Sequence, residues 1–407
     1  MLFSKIFLPE GLLLAVAISA FGFASTSASR HPVPANAEIR AIYLTGPMAG
    51  SAHGRRLARQ WRREGGNAVV FDIKDNSGPV SFNAAVPLAS HMRRPYIASL
   101  PEWVNWLHQH GLYAIARMTV FQDGWLSQTH PELAVRSRSS GAVWEEHGNR
   151  YWMDPSQPAV QNYNIALAQA AAEAGVDEIQ FDAIRFPVEG NQRDARFLYQ
   201  SSQPNQPRAW FITNFLRRAQ QALRPTGVRI SVDVYGVMGW TQAVDLQATG
   251  QNVATLAKYC NVICPMIYPS HFFHHFDGYA DPSAHPRHFI RAGMDKFEKL
   301  TRGENVIIRP WLQAFAWRTR SFSPGYIREQ VEVEHAMHGG GFMMWNAGNR
   351  YQVLDQAMPG MSAAGSQFFS GGFPYAQTAA DSSRGTAKPG PREIGRGRST
   401  PEPRPPA

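Results

Sequence analysis

Short apolar runs rich in β-branched residues alternate with longer amphipathic runs from Glu38 to Pro359. The short runs are bounded by turn-forming residues, which is typical of strands, and the longer runs repeat their apolar residues at helical spacing. The predicted strands cover residues 39–45, 68–74, 112–120, 178–184, 229–235, 262–268, 306–311 and 341–346. The predicted helices cover residues 51–64, 100–110, 158–174, 208–223, 253–259, 286–300, 324–338 and 352–357.

This alternation of strands and helices predicts an α/β fold with a parallel sheet. Eight strands favour a closed (β/α)₈ TIM barrel over an open doubly wound sheet, and 407 residues allow one such barrel with disordered N- and C-terminal extensions. The turn after the first strand, residues 44–50, lacks the G-x-G-x-x-G spacing of a dinucleotide-binding domain. We therefore predict no cofactor.

Both ends of the chain differ from this body. Residues 1–28 combine Lys5, an apolar stretch at 11–24 and small residues at 26–28, which predicts a signal peptide followed by a linker at 29–37. An uncleaved membrane anchor is the alternative. The barrel domain is predicted at 38–359, and the Gly-, Ser-, Pro- and Arg-rich segment 360–407 is predicted to be a disordered basic tail. We expect an exported monomer, periplasmic or secreted.

The formal net charge is +9, and part of it lies in the tail. A basic tail favours anionic surfaces in general, so weak association with the cell envelope through the tail or the N-terminal segment is possible. No nucleic-acid-binding module matches the sequence, so we predict no nucleic-acid partner. Cys260 and Cys264 are expected to be buried free thiols, because four strand residues span about 13 Å and a disulfide needs Cα atoms within about 7 Å.

In a TIM barrel the active site lies at the C-terminal ends of the strands, where an inward-facing polar residue points into the mouth. On the fourth strand, alternation places Gln180 and Asp182 on the inner face. Arg185 follows and could pair with Asp182 or bind substrate. A strand-end carboxylate kept ionised by an arginine suits a nucleophile, so we predict that Asp182 is catalytic. A helix cap or a simple pair with Arg185 is the alternative.

The fifth strand places Asp233 and Tyr235 on its inner face by the same rule. Carboxylates on neighbouring strands could flank one glycosidic bond, as glycoside hydrolysis requires. We therefore predict Asp233 as the catalytic partner of Asp182, with an ion pair to a nearby cation as the alternative.

Other strand ends supply candidate substrate-binding groups. Asp72 and Lys74 share one face of the second strand, where they could position substrate or form a buried pair. Aromatic faces beside a few polar anchors suit a sugar site. The remaining candidates are Arg117, Tyr268, His271, Trp311, Gln313, Trp345 and Asn346.

Three histidines, His271, His274 and His275, follow the sixth strand. No carboxylate has a spacing that completes a metal site with them, so we interpret them as loop residues and predict no metal.

Six stretches together resemble one family. They are 43–46 (YLTG), 71–75 (FDIKD), 178–187 (EIQFDAIRFP), 265–271 (PMIYPSH), 309–313 (RPWLQ) and 345–349 (WNAGN). The chain resembles, over residues 38–351, the bacterial TIM-barrel domain family labelled "putative glycoside hydrolase", which is related to amylase-like barrels. The resemblance implies that Asp182 is the strand-four nucleophile. Amylase-like enzymes place a Glu acid after strand five, where this chain has Asp233.

Three functions are consistent with these observations. The first is an exported glycoside hydrolase that cleaves a polysaccharide with two carboxylates, and the second is a non-catalytic carbohydrate- or cell-wall-binding barrel. A metal-dependent hydrolase is the third, and it requires the His271 region to meet Asp72 or Asp75. The separation of Asp182 and Asp233 discriminates between the first two, since carboxylates more than about 12 Å apart cannot act as a pair.

Overall fold

Eight parallel strands form a closed barrel in the computed structural model, which describes residues 38–90 and 92–363. The strands are β1 (Ile39–Leu44), β2 (Ala68–Lys74), β3 (Tyr113–Thr119), β4 (Glu178–Asp182), β5 (Arg229–Tyr235), β6 (Val262–Met266), β7 in two pieces (Ile307–Ile308 and Trp311–Gln313) and β8 (Gly341–Trp345). Pairing of β8 with β1 and of β5 with β6 closes the sheet. The predicted TIM barrel is confirmed.

Helices connect successive strands on the outside of the barrel. They are α1 (Gly46–Ala49), α2 (Ala52–Arg63), α3 (Leu100–Gln109), α4 (Gly124–Thr129), α5 (Pro158–Glu173), α6 (Tyr199–Ser202), α7 (Arg208–Leu223), α8 (Ala243–Thr249), α9 (Val253–Leu256), α10 (Pro286–Leu300), α11 (Pro324–Ala336) and α12 (Gln352–Ala363). Local sequence sets several helix starts. Ser51, Ser99 and Ser323 each accept a hydrogen bond from a backbone N–H of the first turn.

The ends of the described structure can be compared with the domain boundaries predicted from the sequence. Helix α12 continues to Ala363, past the boundary predicted at Pro359. The predicted signal peptide (1–28), the linker (29–37) and the tail beyond residue 363 lie outside the described residues. No helix among the described residues has both the length and the apolar character to cross a bilayer.

The long segment between β3 and α5 is more ordered than a plain loop. Glu145–Glu146 pairs with Arg150–Tyr151 in a short antiparallel ladder, and Arg136–Ser137 pairs with Ala195–Arg196 from the segment after β4. This local structure fixes Arg150 and the β4 loop beside the mouth of the barrel.

Two apolar layers hold the fold together. One lies between strands and helices and includes Phe71 and Phe181, and the other fills the barrel with side chains such as Val70 and Met343. Below the inner layer, Arg309 and Glu178 form a fully buried ion pair at 3.0 Å. The barrel is therefore a packed core that is open for binding only at its mouth. Both cysteines are free and buried, as expected.

Candidate active site

One arginine gathers three carboxylates at the mouth of the barrel. The Arg117 side chain, from β3, contacts Asp72 on β2 through Nη1 and Asp182 on β4 through Nη2. Its Nε lies 3.7 Å from Oδ2 of Asp233 on β5. Strand alternation points all four side chains inward, so four consecutive strands of the barrel contribute one group each.

The shared guanidinium limits the distance between the two predicted catalytic carboxylates. Because Asp182 and Asp233 both contact Arg117, their nearest oxygens lie no more than about 8.5 Å apart. This limit includes the roughly 5 Å spacing of retaining glycosidases and most of the roughly 6.5–9.5 Å range of inverting enzymes. The two carboxylates are therefore close enough to act on one bond.

Asp182 and Asp233 have different environments. Burial, followed by the nearby Asp182 carboxylate, raises the pKa of Asp233 well above its usual range, while Arg117 and the Trp311 N–H oppose that effect. Only 1% of the Asp233 side chain is exposed, against 16% for Asp182. Burial and the neighbouring carboxylate therefore favour the protonated form of Asp233. Its Oδ1 accepts a 2.8 Å hydrogen bond from Trp311 Nε1, which leaves Oδ2 to hold the proton.

Asp72 holds the Arg117 side chain in place from inside the barrel. Its Oδ1 contacts Arg117, and its Oδ2 accepts a hydrogen bond from the Tyr43 hydroxyl. Burial raises the pKa of Asp72 to about 6, despite the opposing effects of Arg117 and Tyr43. Asp72 lies outside the wall of the site cavity, so it positions Arg117 and does not face a ligand directly.

Three aromatic rings pack beside Arg117. Tyr43 and Trp345 stack with centroids 4.1 Å apart, and Trp311 meets Trp345 edge to face at 5.4 Å. The Arg117 guanidinium lies 4.9 Å from the Trp345 ring centroid, within the range of a cation–π interaction. The cluster offers an apolar ring surface next to the carboxylates.

A cavity of about 510 Å³ opens above these groups, a size typical of small-molecule sites. We call it the site cavity. It brings together eight of the residues expected from the sequence, namely Arg117, Asp182, Asp233, Tyr235, Tyr268, His271, Trp311 and Trp345. Its other walls come from Arg150, Val188, Glu189, Gly236, Val237, Met266 and Phe272.

Residues 41–351 match the model of a family described as "putative glycosyl hydrolase domain". The chain belongs to this family. The match spans nearly the whole barrel, and it confirms the resemblance expected from the six sequence stretches. Among curated proteins, none was found that matches this chain.

Two solved structures that align with TM-scores above 0.5 share the fold. The glycoside hydrolase domain of PgaB (BpsB) from Bordetella bronchiseptica aligns with a TM-score of 0.58 at 13% identity, covering 79% of this chain and 99% of that domain. Alpha-L-fucosidase isoenzyme 2 from Paenibacillus thiaminolyticus aligns at 0.56 and 12% identity, covering 81% of this chain and 49% of the fucosidase. A hypothetical protein from Ruminiclostridium thermocellum is 32% identical over 47% of this chain and 97% of its own, with a TM-score of 0.42.

Lys74, predicted to position substrate, lies away from the site cavity, and the alternative of a buried pair with Asp72 does not form either. The register between β2 and β3 shifts after Asp72. Asp72 pairs with Arg117, and Lys74, two residues later, pairs with Met118, which directly follows Arg117. This bulge turns Lys74 to the outer face, where Nζ lies 2.9 Å from Oδ2 of Asp123 and 5.2 Å from the Tyr163 ring centroid. The bulge interrupts the alternation of side chains between the two faces of β2, and the prediction that Lys74 shares a face with Asp72 depended on that alternation.

Gln180 faces inward as expected but lies below the cavity. It is fully buried, and its Nε2 contacts the sulfur atoms of Cys264 at 3.5 Å and Met343 at 3.3 Å. Gln180 therefore belongs to the barrel core and does not reach a ligand in the site cavity.

Gln313 stabilises the loops around the mouth instead of lining the cavity. It is buried, accepts a hydrogen bond from the Ser270 backbone N–H, and donates to the Phe315 carbonyl and the Thr319 hydroxyl.

Asn346, which follows β8, stabilises loops at the mouth in the same way as Gln313. Its amide nitrogen donates to the carbonyls of Ala314 and Arg350, and its oxygen accepts from backbone N–H groups of Gly348 and Arg350. The side-chain amides of Gln313 and Asn346 therefore hold the loop backbone in place.

Arg185 does not pair with Asp182. Ala183 adopts a left-handed conformation with φ of 47°, so strand alternation ends directly after Asp182. The Arg185 guanidinium lies 4.5 Å from the Tyr235 ring centroid and 4.6 Å from that of Trp152. It supports Tyr235 from behind the cavity wall.

Three residues near the site were missed by the sequence interpretation. Arg150 and Glu189 form an ion pair at the cavity rim, and both lie outside the eight barrel strands, where strand periodicity gives no signal. Tyr43 could have been found, because it is in phase with the inner face of β1.

The histidines after β6 do not join the carboxylates. Within residues 38–90 and 92–363, no three His, Cys, Asp or Glu side chains come together in an arrangement that could hold a metal ion. The convergence of the His271 region with Asp72 or Asp75, which the third function requires, is absent from these residues. His271 lies at the cavity rim, with its ring 5.1 Å from that of Tyr268.

Proposed function

We propose that the protein is an exported glycoside hydrolase that cleaves a polysaccharide, with Asp233 as the general acid and Asp182 as the nucleophile or base. One observation carries this proposal. A single guanidinium, that of Arg117, holds both carboxylates within reach of one bond, while burial favours the protonated form of Asp233 and leaves Asp182 partly exposed. A pair of carboxyl groups with separated pKa values is the usual basis for acid and base roles.

The proposed reaction begins with proton transfer from Asp233 Oδ2 to the glycosidic oxygen. The bond between that oxygen and the anomeric carbon then breaks, and its electron pair goes to the oxygen. Asp182 either attacks the anomeric carbon or removes a proton from the water that does so, and the net reaction adds one water across the bond. The 8.5 Å limit between the carboxylates is consistent with either course.

Arg117 has a positioning role in this scheme. Its Nη2 contacts the Asp182 carboxylate and so fixes the position of that group beside Asp233. The partly exposed ring of Trp345 gives the apolar face of a sugar a surface to pack against, beside the polar groups that fix its orientation.

A non-catalytic sugar-binding barrel is the second candidate function. It is favoured by the near-complete burial of Asp233 and by the contacts that tie both carboxylates to Arg117. The two functions differ in whether a bound sugar chain is cut.

The test is a screen of the purified protein against polysaccharides and cell-wall fractions, with released reducing ends and binding measured in parallel. We expect release by the wild type, and loss of release with retained binding and folding in D182N. Binding without release by the wild type supports the second function, and full activity in D182N contradicts the catalytic role.

Export is proposed from the sequence of residues 1–28 alone. N-terminal sequencing of the protein recovered from the periplasm or medium tests it, with cleavage near residue 28 as the expected result. An intact N-terminus on membrane-bound protein supports the anchor alternative.

A further inference from the structure

A second cavity lies beside the site cavity and shares a wall with it. Its volume is about 410 Å³, and its lining includes Phe272, which also lines the site cavity. Arg318 and Arg320 contribute to the same wall, together with His274 and Asp281. We call this the arginine cavity. The loops after β6 and β7 form it, so it opens on the same end of the barrel as the carboxylates.

Trp317 contacts one lining residue of each cavity. Its ring centroid lies 5.0 Å from that of His271, which lines the site cavity, and 5.0 Å from the guanidinium carbon of Arg318. More than half of the Trp317 side chain, 54%, is exposed. An exposed indole in contact with residues of both cavities provides a surface on which the C–H face of a sugar ring can pack.

The arginine cavity has an excess of positive charge. Arg318 and Arg320 are exposed, and neither forms an ion pair within the described part of the chain. The Asp281 carboxylate is engaged locally, because its Oδ1 accepts hydrogen bonds from the backbone N–H and hydroxyl of Ser283. Two arginines and one aspartate leave one net positive charge. A singly charged, planar carboxylate matches both that charge and the fork of a guanidinium.

The backbone of Arg318 adds an independent observation. Its φ is 53°, in the left-handed region that residues other than glycine and asparagine rarely adopt. Such conformations persist where the surrounding structure imposes them, and they are frequent at binding sites. Here the conformation accompanies a guanidinium held over the neighbouring indole.

We propose that the arginine cavity is a distal subsite for a sugar residue bearing a carboxylate, so that the substrate is an acidic polysaccharide. The proposal rests on the carbohydrate site proposed above. The sugar ring packs on Trp317, its carboxylate pairs with Arg318 and Arg320, and the chain continues past His271 into the site cavity.

The test measures binding in the D182N background, so that it does not depend on turnover. The protein is run in native gels containing pectate, alginate or hyaluronan, each beside its carboxyl-reduced counterpart. We expect at least one acidic polymer to bind about tenfold more tightly than its reduced form. R318Q/R320Q should abolish that preference, and W317A should weaken binding about tenfold while W317F retains most of it.

The control variant R63Q/R302Q removes the same charge from exposed positions near the opposite end of the barrel. It should keep the preference for the acidic polymer. Loss of preference in the control, its persistence in R318Q/R320Q, or equal binding of every polymer and its reduced form overturns the proposal. Charge-dependent binding without hydrolysis by the wild type would contradict the hydrolase function and leave the subsite standing.

Discussion

The indole N–H of Trp311 donates a 2.8 Å hydrogen bond to Oδ1 of Asp233. This bond favours the ionised form of Asp233, while burial favours the protonated form and prevails. Trp311 therefore limits how far the pKa of the proposed acid rises.

Trp311→Phe removes this hydrogen bond and keeps an aromatic ring in place. The pKa of Asp233 should rise further, because its ionised form loses a donor. The alkaline limb of the kcat/KM profile against pH should move up by about one unit, the equivalent of one hydrogen bond to a charged group. Trp345→Phe, which changes a ring without a bond to Asp233, is the control. An alkaline limb that does not move in W311F would show that Trp311 does not affect the pKa of Asp233.

Arg117→Gln leaves three carboxylates near one another without their shared cation. We expect a loss of about 3–5 kcal/mol in the free energy of unfolding, measured by chemical denaturation, together with loss of activity. Adding Asp72→Asn should restore part of the stability, because it removes one of the unpaired charges. Stability losses that simply add in R117Q/D72N would show that Asp72 and Arg117 are not coupled.

Lys74→Met tests whether Lys74 is structural. The variant leaves the buried Asp123 carboxylate without its partner, so it should lower the free energy of unfolding by about 3–5 kcal/mol. Its kcat and KM per folded molecule should equal those of the wild type, because Lys74 points away from the site cavity. A raised KM with unchanged stability would restore Lys74 as a substrate-binding residue.

Glu334, buried on α11, should make stability depend on pH. Burial raises the pKa of Glu334 to about 8, so the folded protein keeps a proton that the unfolded chain releases near pH 4.5. Its contribution to stability is thus complete below about pH 4.5 and is lost progressively as the pH rises to about 8. The loss should be on the order of 5 kcal/mol.

Glu334→Gln cannot lose this proton and isolates the effect. The difference in unfolding free energy between wild type and E334Q should change between pH 4.5 and 8 and stay constant above. A difference that is flat across this range would show that Glu334 is ionised in the folded protein.

The sequence was sufficient to predict the barrel, because each strand and helix has its own periodic pattern. The inward direction of Asp182 and Asp233 followed from the same two-residue alternation. Alternation failed where the backbone departs from a regular strand, at the bulge before Lys74 and at Ala183, whose φ is positive. Both departures arise from local backbone geometry that no side-chain pattern encodes.

The contacts among the site residues could not be predicted, for a different reason. Arg117 was expected to bind substrate, yet it bridges carboxylates from three strands, and such distances depend on how the barrel closes. Arg150 and Glu189 meet through loops that have no periodicity. Sequence thus predicts which residues face the mouth, and the folded structure is needed to show which of them meet.

The central claim is that Asp233 is the carboxyl group that holds the proton in this site. Infrared difference spectra at pH 7 between wild type and each of D233N and D182N test it most directly. The wild type minus D233N spectrum should contain the carbonyl stretch of a protonated carboxyl group, and the wild type minus D182N spectrum should contain carboxylate bands only. A protonated-carboxyl band that disappears in D182N and persists in D233N would contradict the claim.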